Sequence, residues 1–293
     1  MGDPNEVVKL SGEEKALVVE RKATCPFIAA AVAQDQLPVR NDAKNPLASI
    51  EDVRRLGNTG GGHLGEVLEL FANGNHAFMR GDSGKLDKPV PDGLFSLEFP
   101  GSQGSHPGHS GILQEDPKTP DSGRLSDADF ARLIGRAQDG WIKRSDVGRF
   151  IAENVLRDSN SKVLEAETVG VFADDFLELL KAILLAAVDI FDSDDDATHR
   201  DIQQKFAKLT GEDHLAASAG EFGLLFAFLV NRPRAQEVGG EPAVAVEDLK
   251  AMFVDKRLPE GWETWKKSRI DWVKNTIGLL KSAREEYRRL KRT

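Results

Sequence analysis

The spacing of apolar residues is the feature that most constrains the fold of this 293-residue chain. In most segments, as in residues 63–79, apolar side chains recur three or four positions apart, which is the period of an amphipathic helix. No run alternates convincingly between apolar and polar side chains, as a half-buried strand would. The sequence therefore predicts an all-α fold.

The apolar period and its interruptions divide the chain into helices and one long connection. Helices are predicted over residues 24–37, 45–56, 63–79, 126–138, 145–156, 174–191, 221–230, 244–253 and 263–291, the last being long and amphipathic. Residues 80–122 are dense in Gly, Pro, Asp, Ser and His, a composition typical of a functional loop or a linker. With no internal repeat, we expect one domain over residues 1–293.

Charge and cysteine usage exclude several classes of function. The net charge of −9 argues against nucleic acid as the main partner, since phosphate binding usually needs a basic excess. The basic residues of segment 284–292 are interpreted as a solvated helix face. No apolar run is long enough to span a membrane, and the polar N-terminal segment shows no secretion signal. A single cysteine excludes an internal disulfide, so we expect a cytoplasmic protein.

The surroundings of this cysteine resemble those of a known family. The motif Thr24-Cys25-Pro26-Phe27 opens an alanine-rich segment that Leu37-Pro38-Val39-Arg40-Asn41 closes. This arrangement resembles the signature of the chloroperoxidases and unspecific peroxygenases, which are haem-thiolate enzymes. Far along the chain, residues 243–247 and 252–253, followed by 257–262 (Arg-Leu-Pro-Glu-Gly-Trp), are similar to that family's C-terminal block, with a shorter gap between Pro and Gly.

The resemblance implies that Cys25 is the axial ligand of haem iron. A thiolate at a helix N-terminus is stabilised by unpaired amides and the helix dipole, which lower its pKa. Pro26 suits the first helical position, where no amide donor is needed. Without this context a lone cysteine is more often a small buried apolar residue.

The family also implies a carboxylate on the opposite side of the haem, acting as general acid and base. Glu221, which follows small residues and heads an apolar helix, is the first candidate. Ser218 and Glu221 equally fit a capping box, a purely structural role. His214 stands where some relatives have an arginine and is predicted either as a proton partner or, if Ser218 begins the helix, as a surface histidine.

A magnesium or manganese site against a haem propionate is a third implication. The nearest match to the family's motif is at Gln114 and Glu115, with Ser122 or Ser126 in place of the serine that follows. In direct register Gln114 replaces the ligand Glu, whereas a slip by one residue makes Glu115 the ligand. Glu115 is alternatively an additional acid at the pocket.

These features together predict a haem b enzyme, a peroxidase or peroxygenase. It would use hydrogen peroxide to oxidise or oxygenate a small apolar or aromatic compound, or to oxidise halide. Aromatic side chains are predicted in the core, some lining the haem pocket: Phe95, Phe99, Phe172, Phe222 and Phe226. Two alternatives stay open: a non-catalytic protein that binds or senses haem, and a non-haem all-α protein that binds a partner through its basic C-terminal helix. Substrate identity and oligomeric state are open.

Overall fold

The fold is mixed and mostly helical, so the all-α prediction is wrong. The computed structural model describes residues 6–75, 78–80, 86–98, 123–159, 161–164, 212–233 and 237–292. Within these residues eight short strands form three small antiparallel sheets beside the helices. Each strand has only two to five residues, which is too short for an alternating pattern to stand out in the sequence.

The first sheet has the order β1-β2-β5 and consists of Arg40–Asn41, Pro46–Ser49 and Leu94–Ser96. The second pairs β3, Phe78–Arg80, with β4, Leu86–Pro89. The third has the order β6-β8-β7 and consists of Trp141–Lys143, Glu241–Ala245 and Glu237–Val238. Strands β4 and β5 lie inside the predicted loop 80–122, so that prediction is wrong for this part, while residues 99–122 fall outside the described residues.

The helices are numbered here in chain order as the structure describes them. They are α1 Gly12–Leu17, α2 Pro26–Ala33, α3 Ile50–Gly57, α4 Gly65–Asn75, α5 Asp127–Ile134, α6 Arg144–Arg157, α7 His214–Leu229, α8 Val246–Phe253 and α9 Arg269–Lys291, with a π-helical turn at Val18–Lys22 and a 3-10 turn at Trp262–Thr264. Several begin at side-chain caps of the preferred type: Ser49, Ser126, Asp213 and Ser268 each accept a bond from an amide of the first turn.

Two predicted helices turn out to begin as strands, and one begins later than expected. Segment 45–56 starts as strand β2 before α3, and segment 244–253 starts in strand β8 before α8. The C-terminal helix begins at Arg269 rather than at residue 263, because a 3-10 turn and the cap Ser268 precede it. The predicted helix over residues 174–191 lies outside the described residues.

Helix α9 packs along α6 and α7, and glycines let these helices approach closely. A Cβ on Gly148 of α6 would lie 2.6 Å from the Cβ of Ser282, and one on Gly223 of α7 would clash with the Thr276 hydroxyl. The Trp272 indole Nε1 donates to the Gly220 carbonyl oxygen at 2.9 Å. One cluster of buried apolar residues reaches from Val18 to Ala283, while the single-domain assignment stays a prediction.

Among the described residues, no helix is both long and apolar enough to cross a bilayer.

Two glycines of α7 provide a matched test of the α7–α9 contact. Gly223→Ala should lower the free energy of unfolding by about 2 kcal/mol, because the new methyl group meets Thr276 and Trp272 in a close-packed core. Gly220→Ala should leave stability unchanged or raise it by up to about 1 kcal/mol, since its Cβ would meet only Phe71, at 3.5 Å, and alanine favours helix. Urea unfolding measures both, and equal effects would contradict this packing.

Candidate functional site: an apolar pocket with one thiol and one carboxylate

An apolar pocket lies among helices α2, α3, α4, α7 and α8 and strand β5. Its interior volume is about 100 Å³, and it widens to about 820 Å³ when the space out to the open mouth is included. Most of the wall is aliphatic or aromatic, and two side chains with ionisable groups interrupt it, Cys25 and Glu221. The lining residues are Cys25, Pro26, Phe27, Ile28, Val53, Leu68, Phe71, Ala72, Phe95, Glu221, Phe222, Leu224, Leu225, Phe228, Met252 and Phe253.

Cys25 occupies the N-cap position of α2 in an extended conformation, with φ −82° and ψ 121°. Its carbonyl oxygen accepts the first helical bond from the Ala29 amide at 2.9 Å. The residues before it are held against the end of strand β5, since the Thr24 amide donates to the Leu97 carbonyl at 3.2 Å and Ala23 bridges Glu98. Pro26 takes the first helical position, as predicted, and also lines the pocket. Backbone contacts on both sides therefore fix where the thiol enters the pocket.

Burial in apolar surroundings raises the pKa of the Cys25 thiol to about 11. The amides of Ile28 and Phe27 lower that pKa, but without the geometry of a capping hydrogen bond, and the Glu221 carboxylate raises it further. The helix N-terminus therefore lowers the pKa of this thiol as expected, but burial outweighs it, so the expectation of a lowered pKa overall is wrong. At neutral pH the sulfur keeps its proton unless a cation binds there.

Glu221 lies in the first half of α7 and faces the same pocket as Cys25. The helix begins at His214 and is capped by Asp213, which accepts from the Ala216 amide at 3.0 Å. Ser218 is therefore an interior helical residue, and the capping-box interpretation of Ser218 and Glu221 is wrong. Because both side chains line this pocket, the negative charge of Glu221 contributes to the raised pKa of the Cys25 thiol.

His214 is buried at the first position of α7, so its assignment as a surface histidine is wrong. The Lys162 amide donates to its Nδ1 at 2.9 Å, and the His214 amide donates in return to the Lys162 carbonyl at 2.9 Å. A ring nitrogen that accepts in this way places the proton of a neutral imidazole on Nε2. His214 lies seven residues before Glu221 on α7 and is not among the residues lining the pocket.

The two segments that resemble the family meet in space, although they are far apart in sequence. The rings of Phe27 and Trp262 pack edge-to-face with centroids 5.4 Å apart. At the other end of α2, the Leu258 amide donates to the Gln34 Oε1 at 3.0 Å. Phe27 also stacks on Phe228 of α7, with centroids 4.2 Å apart, which joins both segments to the helix that carries Glu221.

Aromatic side chains were only partly assigned to the pocket from the sequence. Phe95 and Phe222 line it, whereas Phe226 is fully buried in the core; Phe99 and Phe172 lie outside the described residues. The sequence did not predict that Phe71 and Phe228 form part of the pocket wall. Their spacing of three or four residues from Leu68 and Leu224 marks a buried helix face but not which buried face borders a cavity.

The predicted magnesium or manganese site cannot be placed, because Gln114, Glu115 and Ser122 lie outside the described residues. Ser126 is described and caps helix α5 by accepting from the Asp129 amide. Across the part of the chain that the structure describes, no three His, Cys, Asp or Glu side chains are grouped in a way that would hold a metal ion.

Comparison with known proteins finds no family model, no curated protein and no solved structure that matches this chain.

The environment of Cys25 leads to a prediction about the pH dependence of its reactivity. The rate at which iodoacetamide alkylates this thiol should rise with pH and reach half of its maximum at a pH of about 11. The reason is that only the thiolate reacts and burial disfavours the thiolate. Glu221→Gln should move this midpoint to lower pH by removing a nearby negative charge. Mass spectrometry of the single cysteine measures both rates, and a midpoint at the ordinary pKa of a cysteine would contradict the buried environment.

Proposed function

We propose that this protein is a haem-thiolate peroxidase or peroxygenase that uses hydrogen peroxide to oxidise or oxygenate a small apolar or aromatic compound. One observation carries the proposal: Cys25 and Glu221 line the same apolar pocket, and residues far apart in the sequence build it. Support also comes from the contact between the two segments that resemble this family, at Phe27 and Trp262. Halide is an alternative substrate for the same chemistry.

The chemistry of the pocket fits haem b. A thiol at the wall offers the sulfur ligand that thiolate-ligated haem proteins use, and the apolar lining suits a flat, largely apolar macrocycle. A partly buried thiol with a raised pKa needs a cation to become a thiolate, and iron supplies one. When bound, haem would supply the redox chemistry of peroxide activation.

Each of the chain's own residues has a definite task in this proposal. Cys25 would give up its proton and ligate iron, and the amides of Phe27 and Ile28 would face the resulting negative sulfur. Glu221 would take a proton from peroxide on a carboxylate oxygen and return it to the departing oxygen. The apolar side chains around them would exclude water and favour an apolar substrate.

A second candidate function is a protein that binds or senses haem without turnover. Haem binding alone requires only a thiol in an apolar pocket, and this pocket provides both. Such a protein would bind haem through Cys25 and show no peroxide-dependent oxidation across a broad panel of substrates.

We further propose that the protein works in a reducing compartment such as the cytoplasm. It has one cysteine, and a ligand thiol has to stay reduced to bind iron. Its partners in the proposed reaction are hydrogen peroxide and the organic substrate.

Replacing Glu221 by Gln tests the catalytic part of the proposal. Glu221→Gln should keep the haem and its spectrum but slow peroxide consumption by about 100-fold or more, the usual contribution of a general acid–base. The control is Glu260→Gln, which neutralises an exposed carboxylate and should leave the rate unchanged. Stopped-flow mixing with peroxide measures the rates. If Glu221→Gln reacts as fast as the unmodified protein, Glu221 has no such role.

A further inference from the structure

The exposed side of helix α9 carries cations and isolated isoleucines in a regular series. Within the helix, exposed side chains follow one another at intervals of three or four residues from Ile270 to Arg288, which places them on one side of it. Lys266, immediately before the helix, is also exposed. We call this surface the α9 face; it consists of Ile270, Lys274, Ile277, Lys281, Glu285 and Arg288, together with Lys266 just before the helix. Ile270 is 49% exposed and Ile277 is 41% exposed.

The fold itself does not account for the α9 face. The opposite side of the helix supplies the buried residues Trp272, Val273 and Leu279 to the core. Other cations of α9 have structural partners: Arg284 bonds Asp213 at 2.6 Å, and Arg289 bonds Glu286 at 2.6 Å. Among the described residues, the four cations of the α9 face form no ion pair with a carboxylate.

The charge of the α9 face is opposite to that of the whole protein. The chain has a net charge of −9, yet the only carboxylate in the series between Lys266 and Arg288 is the exposed Glu285. Four cations against one carboxylate leave a positive strip along the helix. A negatively charged surface is the complementary partner.

We propose that the α9 face docks the protein onto an anionic phospholipid bilayer. Helix α9 has 23 residues and is therefore about 34 Å long, a straight edge that matches a flat surface better than a small pocket. Lysine is depleted at protein–protein interfaces, which use aromatic and arginine anchors, whereas Lys and Arg clusters on a helix suit anionic lipid headgroups. The two isoleucines enter the headgroup region while the helix stays packed on the protein.

This docking is peripheral, because the apolar side of α9 remains in the core. The cations contribute attraction that falls with salt concentration, and the isoleucines contribute a part that salt does not weaken. The inference does not depend on haem, so it stands or falls separately from the proposed enzymatic function.

Vesicle co-sedimentation of the full chain tests the proposal. The protein should bind vesicles of phosphatidylcholine mixed with phosphatidylserine and not vesicles of phosphatidylcholine alone. The triple variant Lys274→Gln, Lys281→Gln and Arg288→Gln should bind the mixed vesicles about 100-fold more weakly, from about a fivefold loss for each cation removed. The double variant Ile270→Ser and Ile277→Ser should lose the binding that persists at high salt.

A matched control distinguishes the effect of the α9 face from the effect of net charge. Lys9→Gln, Lys44→Gln and Lys250→Gln remove the same charge from other exposed positions and should change binding by less than about threefold, since distant charges are screened. Equal loss in the two triple variants would overturn the proposal, as would equal binding to both kinds of vesicle or to neither. Binding of polyglutamate instead of vesicles, lost in the α9 triple variant, would overturn it in favour of an acidic protein partner.

Discussion

The packing of the Phe27 ring between Phe228 and Trp262 is the interaction on which the rest of the site depends. It joins the start of α2 to helix α7 on one side and to the C-terminal segment on the other, with ring centroids 4.2 and 5.4 Å away. Cys25 lies two residues before Phe27, so the ring contacts also set the position of the thiol. Aromatic pairs of this kind add about 1 kcal/mol each beyond the area they bury.

Behind Trp262 a buried lysine holds the C-terminal segment in place. The Lys267 ammonium donates to the carbonyl oxygens of Thr59, Trp262 and Trp265 at 3.1, 2.6 and 2.8 Å, and it lies 4.6 Å from the centre of the Trp262 ring. Its burial lowers the pKa of the amine to about 8. The loop of Gly60–Gly62 packs against the same segment, and a side chain at Gly60 would clash with the Trp265 carbonyl. The Lys267 ammonium, which is bound by three carbonyl oxygens, thus supports the aromatic wall of the pocket from outside.

Parts of this arrangement could be predicted from the sequence, and there are physical reasons why the other parts could not. Pro26 marks the start of α2 by its own backbone geometry, so this position was predicted correctly. The apolar helix of Glu221 was predicted too, but it begins at His214, seven residues before the predicted start. The short strands were missed because two to five residues cannot show a period. The raised pKa of Cys25 was missed because a helix N-terminus is a local feature, whereas the apolar wall that outweighs it comes from distant segments. His214 was judged from a capping pattern at Ser218, but Asp213 caps the helix instead.

The absorption spectrum of protein produced with a haem precursor, recorded in the ferric state and again after reduction under carbon monoxide, tests the central claim most directly. The account predicts one haem per chain. It also predicts a strongly red-shifted Soret band with carbon monoxide, which is characteristic of thiolate ligation of the iron. That band should be absent in Cys25→Ala. A carbon monoxide spectrum without the shift would assign iron to another ligand and make Cys25 a wall residue. A colourless protein would contradict the haem assignment altogether.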